Sequence, residues 1–285
     1  MAKNILVVLN YNDFDTCKRL LEKVKDYSVF EKIIVVDNCS TDDSFQRLKN
    51  YENIRIDVIK SSANKGYASG NNFGANYAIR KYKPQNIFIA NPDVMFDETA
   101  AIRMAKALDR NSSIGIIAPV VKEGYNAWTL PDYWGTIKSL FLVLNRLERK
   151  KVRKKVLAGR GVQTVGVVEG SFFAVSADAF SKINGMDDRT FLYGEENILA
   201  YRLKQINCSA AILSDCYYEH LHSQSIKKAY GSRGQAFKHY YKSFKLYLIE
   251  YLKANMFQLI LYEIAYRIAY GERIVCERII WRDND

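Results

Sequence analysis

The chain has 285 residues, 48% of them hydrophobic, enough to bury a sizeable core, and one α/β unit with a helical appendage fits that length better than two independent domains. A formal net charge of +11 suits an anionic partner, namely a phosphorylated substrate, an acidic lipid surface or a nucleic acid. Cys17, Cys39, Cys208, Cys216 and Cys276 form no C-x-x-C pair and are odd in number, which argues against a zinc site or a disulfide framework and for a reducing cytoplasm. The first apolar run, Ile5-Leu6-Val7-Val8-Leu9, meets Asn10, Asn12 and Asp13 at once and is too short for a signal peptide. No stretch approaches the roughly 20 apolar residues that span a bilayer, so the protein is expected to be soluble or to lie on a membrane.

Short β-branched runs recur along the first part of the chain: Ile5 to Leu9, Ile33 to Val36, Ile54 to Ile59, Ile87 to Ala90 and Ile114 to Ala118. Segments with helical spacing, such as Cys17-Leu20-Leu21-Val24, separate them, and the alternation predicts βα units around a mainly parallel sheet. Ligands of such sheets collect beyond the carboxyl ends of the strands. Here three of those ends are polar: Asn10-Tyr11-Asn12, Asp37-Asn38 and Asn91-Pro92-Asp93. One polar end is an ordinary turn, whereas three converging on one edge suggest a site.

Gly66, Gly70 and Gly74 recur every four residues, and their expected use is a helix start that lets backbone approach a ligand or a neighbouring element. Neither G-x-G-x-x-G after the first strand, nor a P-loop, nor a serine nucleophile elbow is present. Past Val120 the pattern loosens. Leu140-Phe141-Leu142-Val143-Leu144 adjoins a basic cluster from Arg149 to Lys155, and from Gln235 onward Tyr, Phe, Lys and Arg at helical spacing predict two or three helices that close the structure.

Three segments then carry a resemblance. Val36-Asp37-Asn38-Cys39-Ser40-Thr41-Asp42-Asp43-Ser44, Asn64-Lys65-Gly66-Tyr67-Ala68-Ser69-Gly70-Asn71-Asn72 and Asn91-Pro92-Asp93-Val94 resemble, in order and spacing, the successive motifs of glycosyltransferase family 2, rhamnosyltransferase-like branch. The likeness continues through Gly185-Met186-Asp187 and Phe191-Leu192-Tyr193-Gly194-Glu195-Glu196 to His220-Leu221-His222-Ser223-Gln224-Ser225, about four-fifths of the chain. It implies a GT-A fold: a catalytic domain over 1–225, with a nucleotide-sugar half to residue 120 and an acceptor half from 121; the last fifth of the chain is not covered by it, and a helical segment over 226–285 is expected there from the spacing alone.

The resemblance also implies roles. Asp93 is the principal carboxylate ligand of a divalent metal, Mg²⁺ or Mn²⁺, that neutralises charge on a leaving diphosphate. Asn91 stands where many relatives have the first Asp of an Asp-x-Asp motif, one charge fewer at the site. His220 is the second protein ligand and His222 its near alternative. Asp37 resembles the aspartate that accepts the imide N–H of uracil or thymine. Its other reading is a helix N-cap, a role that Ser40 or Thr41 fits better, because Asp42 and Asp43 follow into the next helix's first turn. Asn10 and Tyr11 line the donor site, with Tyr11 either stacking on the base or packing in the core. Asn64, Gly66 and Asn71 resemble the ribose and diphosphate wall.

Glu195-Glu196 matches the family's Glu-Asp pair, whose second position carries the general base, so Glu196 is the expected base with Glu195 the alternative; ordinary first-turn acids of a helix are the competing reading. Arg202 follows at the family's spacing, while Ile198 replaces a common Asp. Trp128, Gly170 and Asp187 fall where the family forms its acceptor cleft, with an exposed Trp128 able to stack on a sugar and Phe172 more suited to packing.

The implied reaction is an inverting transfer of a sugar, with rhamnose favoured, from a dTDP- or UDP-linked donor to a glycan or lipid-linked acceptor. Two readings compete: a sugar nucleotidyltransferase, which would carry a glycine-rich basic loop after the first strand, and a basic nucleic-acid binder, which the acidic strand ends disfavour. Self-association as a homo-oligomer stays open. The expected location is the cytoplasm, with a peripheral place on an anionic membrane surface through the Leu140–Leu144 patch, its basic neighbour and the aromatic tail from Tyr240 to Trp281, unless those faces pack internally.

Overall fold

The computed structural model describes residues 3–221 and 233–280. The predicted alternation appears as β1 (Asn4–Asn10), α1 (Phe14–Val24), β2 (Lys32–Asp37), α2 (Ser44–Lys49), β3 (Ile56–Lys60), α3 (Tyr67–Tyr82), β4 (Asn86–Ala90), β5 (Val94–Phe96), α4 (Glu98–Arg110) and β6 (Ile114–Val121). There follow β7 (Ala127–Trp128), α5 (Tyr133–Leu140), α6 (Leu142–Ala158), β8 (Val162–Val165), β9 (Val167–Val168), β10 (Phe172–Ser176), α7 (Ala177–Lys182), α8 (Glu195–Gln205) and β11 (Ser209–His220). The C-terminal helices are α9 (Arg233–Leu246), a π-helical turn over Tyr247–Tyr251, and α10 (Met256–Ile280).

Among the described residues nine strands make one sheet, ordered β3-β2-β1-β4-β10-β6-β11-β5, with β8 also pairing β11. The β3-β2-β1-β4 part is parallel, as is β6 with β11; β10 runs antiparallel between β4 and β6. Both faces of β1, β2 and β4 are covered, which is why these strands read as continuous Val/Ile runs instead of alternating. Chain order reverses between β1 and β4, and the crevice outside their carboxyl ends is where such sheets bind ligands.

The glycines of α3 serve close packing. A Cβ on Gly70 would lie 2.5 Å from Leu9 Cδ1, and one on Gly74 2.6 Å from both Val36 and Val7, so the helix can sit against β1 and β2 only with hydrogens there. Two local expectations change. β3 begins at Ile56, not Ile54, because the Asn53 side-chain oxygen accepts from the N–H groups of Arg55 and Ile56 and closes a turn that leaves Ile54 exposed. α2 begins at Ser44, because Ser40 is drawn to the end of β1: its Oγ accepts from Asn12 N at 3.0 Å and its N–H donates to Asp37 Oδ2 at 3.0 Å. Neither Ser40 nor Thr41 caps this helix.

The closing helices form as predicted and enclose a core of their own, in which Phe237, Phe244, Leu248, Tyr262 and Leu140 are buried together. Leu140 thus leaves the apolar surface patch, while Leu142, Val143 and Leu144 stay exposed on the next helix. His222 and Trp281 lie outside the described residues.

Candidate active site

One side of the crevice is built from strand ends in register. Asn10 is paired with Asp37 across β1 and β2, and its Nδ2 donates to Asp37 Oδ1 at 3.3 Å. Both are buried, and Tyr11 beside them is half-buried. Asn38 Nδ2 donates to Asn64 Oδ1 at 3.1 Å, Asn64 Oδ1 also accepts from Gly66 N at 3.0 Å, and Gly66 holds φ +100° where a Cβ would strike the Phe191 carbonyl. Asn71 is fully buried with Nδ2 on the Tyr67 carbonyl at 3.1 Å. These residues gather at the carboxyl ends of β1 and β2 and the start of α3.

Beyond β4, Asn91 N donates to Ser171 O at 2.8 Å, which fixes the Asn-Pro-Asp turn against the start of β10. Asp93 and His220 meet there, because β5 and β11 pair with Val94 opposite His220. Asp93 Oδ1 lies 3.3 Å from His220 Nε2, and both side chains are nearly enclosed. Burial works against a charged imidazole, but the hydrogen bond and charge of Asp93, aided by Glu169, outweigh it and raise the His220 pKa. Among the described residues no group of three or more His, Cys, Asp or Glu side chains gathers for a metal. A carboxylate beside an imidazole still fits a divalent cation of the Mg²⁺ or Mn²⁺ kind, which ordinarily takes few protein ligands and fills its sphere from substrate phosphates and water.

The opposite wall carries the two glutamates in the first turn of α8. Glu195 is 3% exposed, and its pKa is raised well above the ordinary value, first by burial and then by the neighbouring charge of Glu196. Glu196 is half-buried and accepts from Gly170 N at 3.3 Å. Burial raises it too, and so does the charge of Glu169, against the pull of its backbone hydrogen bonds and of Arg149. Tyr67 donates its hydroxyl to the Gly170 carbonyl, so one short segment, Glu169 to Ser171, is held from the donor wall, from the Glu196 side and, through the 2.7 Å hydrogen bond between Ser171 and Tyr218, from β11.

Two acceptor-side expectations are reshaped. Trp128 is not exposed: it is 9% accessible, its Nε1 donates to Asn197 Oδ1 at 2.8 Å, and the Arg149 guanidinium lies 4.1 Å above its ring. Burial of the indole beside a helix that can satisfy its N–H explains the difference. Asp187 is also buried, with Arg189 at 2.7 Å, Tyr251 at 2.6 Å and Arg202 at 3.4 Å. Burial alone would raise its pKa, but hydrogen bonds from Arg189 and Tyr251 prevail and hold it at about 2. Phe172 packs as expected, stacked on Phe96 with centroids 4.0 Å apart.

Two features of this region escaped the sequence. Glu169 sits between His220 and Glu196 electrostatically, and only its place directly before Gly170 could have flagged it. The α9 helix is another: Ser243 Oγ donates to Leu192 O at 3.1 Å, and Phe191 stacks on His239.

The profile of the family described as "Glycosyl transferase family 2" matches residues 5–183, more than half of this sequence. The chain belongs to glycosyl transferase family 2. Within it, the low-salt glycan biosynthesis hexosyltransferase Agl10 of Haloferax volcanii is 25% identical over 204 residues, covering 71% of this chain and 62% of that protein, less than two thirds of its length. The rhamnosyltransferase WbbL of Escherichia coli is 26% identical over 207 residues, covering 70% and 75%. The N-acetylglucosaminyl-diphospho-decaprenol L-rhamnosyltransferase of Mycobacterium tuberculosis is 25% identical over 197 residues, 60% of each chain.

Solved structures place this family 2 chain in the GT-A fold. GalNAc-T7 with UDP, GalNAc and Mn²⁺ superposes with a TM-score of 0.60 at 14% identity, over 77% of this chain and 43% of that one. The mannosyltransferase PcManGT from Pyrobaculum calidifontis, in complex with GDP-Man and Mn²⁺, gives 0.57 at 13% identity over 95% and 73%.

Proposed function

We propose that this glycosyltransferase inverts the anomeric centre of a hexose of the rhamnose kind as it moves from a dTDP- or UDP-linked donor to a glycan or lipid-linked acceptor. The observation that carries the reading is the placement of Glu196, a half-buried carboxylate with a raised pKa, held by Gly170 N across the Glu169–Ser171 segment from the Asp93 side of the cleft. A base must meet its substrate and have a pKa lifted toward neutrality to accept a hydroxyl proton efficiently.

In this reading Asp37 accepts the imide N–H of the base, and Asn10, Asn64, Gly66 and Asn71 shape the wall along ribose and diphosphate. Asp93 and His220, with His222 as the alternative, would hold Mg²⁺ or Mn²⁺, which when bound neutralises charge on the departing diphosphate. Glu196 takes the proton of the acceptor hydroxyl as its oxygen forms the bond to the anomeric carbon. The bond from that carbon to the diphosphate oxygen breaks on the opposite face, so configuration inverts and the electron pair leaves with the nucleotide.

Lipid-linked or polymeric acceptors are supported by the names of the relatives, which include a glycan-biosynthesis hexosyltransferase and a rhamnosyltransferase of a diphospho-decaprenol sugar. The test is donor turnover over a panel of nucleotide sugars, followed by NMR of the product linkage. Turnover of dTDP-rhamnose or a uridine donor with an inverted anomer is expected; a product of retained configuration would overturn the mechanism.

A further inference from the structure

The outward face of α6 has an unusual make-up for a helix on a soluble enzyme. Its inward positions are Asn145, Glu148, Arg149, Val152, Arg153 and Val156, and the last of these is buried. The exposed face begins with Leu142, Val143, Leu144 and Leu147, of which Val143 is 63% and Leu147 59% accessible. It continues with Arg146, Lys150, Lys151, Lys154 and Lys155, all exposed.

A second apolar stripe lies on α10. Along α10, Phe257, Ile260, Ile264 and Ile268 follow at helical spacing on the side turned from the Tyr262–Ala265–Ala269 core face, with Phe257 67% and Ile268 60% accessible. The two helices meet at the α5–α6 junction, where Leu142 N donates to Glu272 Oε2 at 3.1 Å and Arg273 Nη1 to the Leu140 carbonyl at 2.6 Å. Among the described residues neither exposed face carries an acid. Glu148 accepts from Thr129 N and Glu272 from Leu142 N, while Glu263 accepts from the Tyr241 hydroxyl and lies 3.8 Å from Arg267 Nε.

We infer that the exposed faces of α6 and α10 form a docking surface for an anionic lipid membrane. Leucine and isoleucine side chains would enter the headgroup boundary while the adjoining cations meet the lipid charge. A second copy of the chain fits this face poorly, since a two-fold interface must supply its own counter-charges and the exposed face of α6 carries cations and no acid. The helix also connects the surface to the proposed base: Arg149, on its inward side, acts electrostatically on Glu196. Docking does not depend on the proposed chemistry, so either can fail alone.

The experiment is co-sedimentation of the full chain with vesicles of phosphatidylcholine carrying graded phosphatidylglycerol, at low and high salt, beside analytical ultracentrifugation of the protein alone. Binding should rise with the anionic fraction and fall with salt. Replacing Lys150, Lys151, Lys154 and Lys155 by Gln should weaken it about tenfold or more. Ile264→Asn with Ile268→Asn should weaken it further while the denaturation midpoint stays near wild type. No binding to the most anionic vesicles at low salt overturns the inference, as does binding that neither variant set changes. A dimer dissolved by Ile264→Asn, in a protein that ignores vesicles, overturns it in favour of self-association.

Discussion

Asp37 ends β2 and Asp93 lies between β4 and β5, and the strands that position them and the His220 beside Asp93 are fixed by backbone ladders. Glu196 stands at the start of a helix fixed by side chains from the far end of the sequence: Gly194 packs against Ser243 and Phe244, and Arg202 donates to Tyr251 at 3.0 Å. The proposed donor wall is therefore a product of sheet geometry, while the wall of the proposed base depends on the closing helices. Damage to the first should show in binding and turnover together, and damage to the second in turnover or stability.

The largest effect is expected on the donor wall. Asp93→Ala should lower metal-dependent turnover by about 10³-fold and weaken donor binding with it. His220→Ala should move both in the same direction, measured by steady-state kinetics and titration calorimetry with Mn²⁺ and the donor. Full activity of Asp93→Ala in excess chelator would remove Asp93 from the site.

On the base wall, Glu196→Gln keeps size and hydrogen bonding but cannot take the proton. Transfer should fall by about 10²-fold or more with donor affinity intact. Because burial raises the Glu196 pKa, wild-type kcat/KM should decline on the acid side at a pH above the ordinary carboxylate value, and that limb should vanish in the variant's residual activity. Should Glu195→Gln reproduce the loss and Glu196→Gln not, the base is Glu195.

The latch under α8 gives a stability effect. Asp187→Asn should cost about 2 kcal/mol in urea unfolding at pH 7, at the low end for a broken buried pair because Arg189 is half-exposed. The Asp187 pKa lies below its unfolded value, so the carboxylate's contribution is present above about pH 4 and is lost as pH falls toward 2. The variant should lack that acid-side slope.

The smallest effect distinguishes the two glutamates. Glu195 is held well above its unfolded pKa, so its protonated form favours the fold below the ordinary carboxylate range, and that contribution is lost as pH rises through the folded value. Glu195→Gln should leave turnover within about threefold of wild type and raise the melting temperature more at pH 8 than at pH 5. An equal shift at both pH values would contradict the buried, proton-binding state.

Much of the donor wall was legible because periodicity there is local. The runs around Val7, Val35 and Ile89 mark strands buried on both faces, and the polar residues that end them fall on one edge once the strands are parallel. Ser40 was misplaced as a cap because its partner, Asn12, comes from a different turn. Trp128 was expected at the surface from its polar neighbours, yet the Asn197 that accepts its N–H lies on α8, and no local pattern announces that contact. Glu169 was missed for the same reason, since its influence on His220 and Glu196 exists only after β9, β10 and β11 have assembled. Leu140 differs from Leu142 only by the bend at Phe141, which sends one into the helical core and the other to the surface.

The antiparallel β10 has a consequence for synthesis. A ribosome that has made the chain through Phe96 has supplied β1 to β4, which can pair with one another at once. The free edge of β4 must then wait for Phe172–Ser176, because β10 is its partner on that side and, among the described residues, the strand through which β6 and β11 join the sheet. Until then the nascent chain carries an open strand edge of Asn86–Ala90, apolar after its first residue, the kind of edge that invites mispairing. Residues 172–176 thus act as the closing stitch of the sheet, and slow translation between codons 97 and 171 lengthens the interval in which that edge is bare.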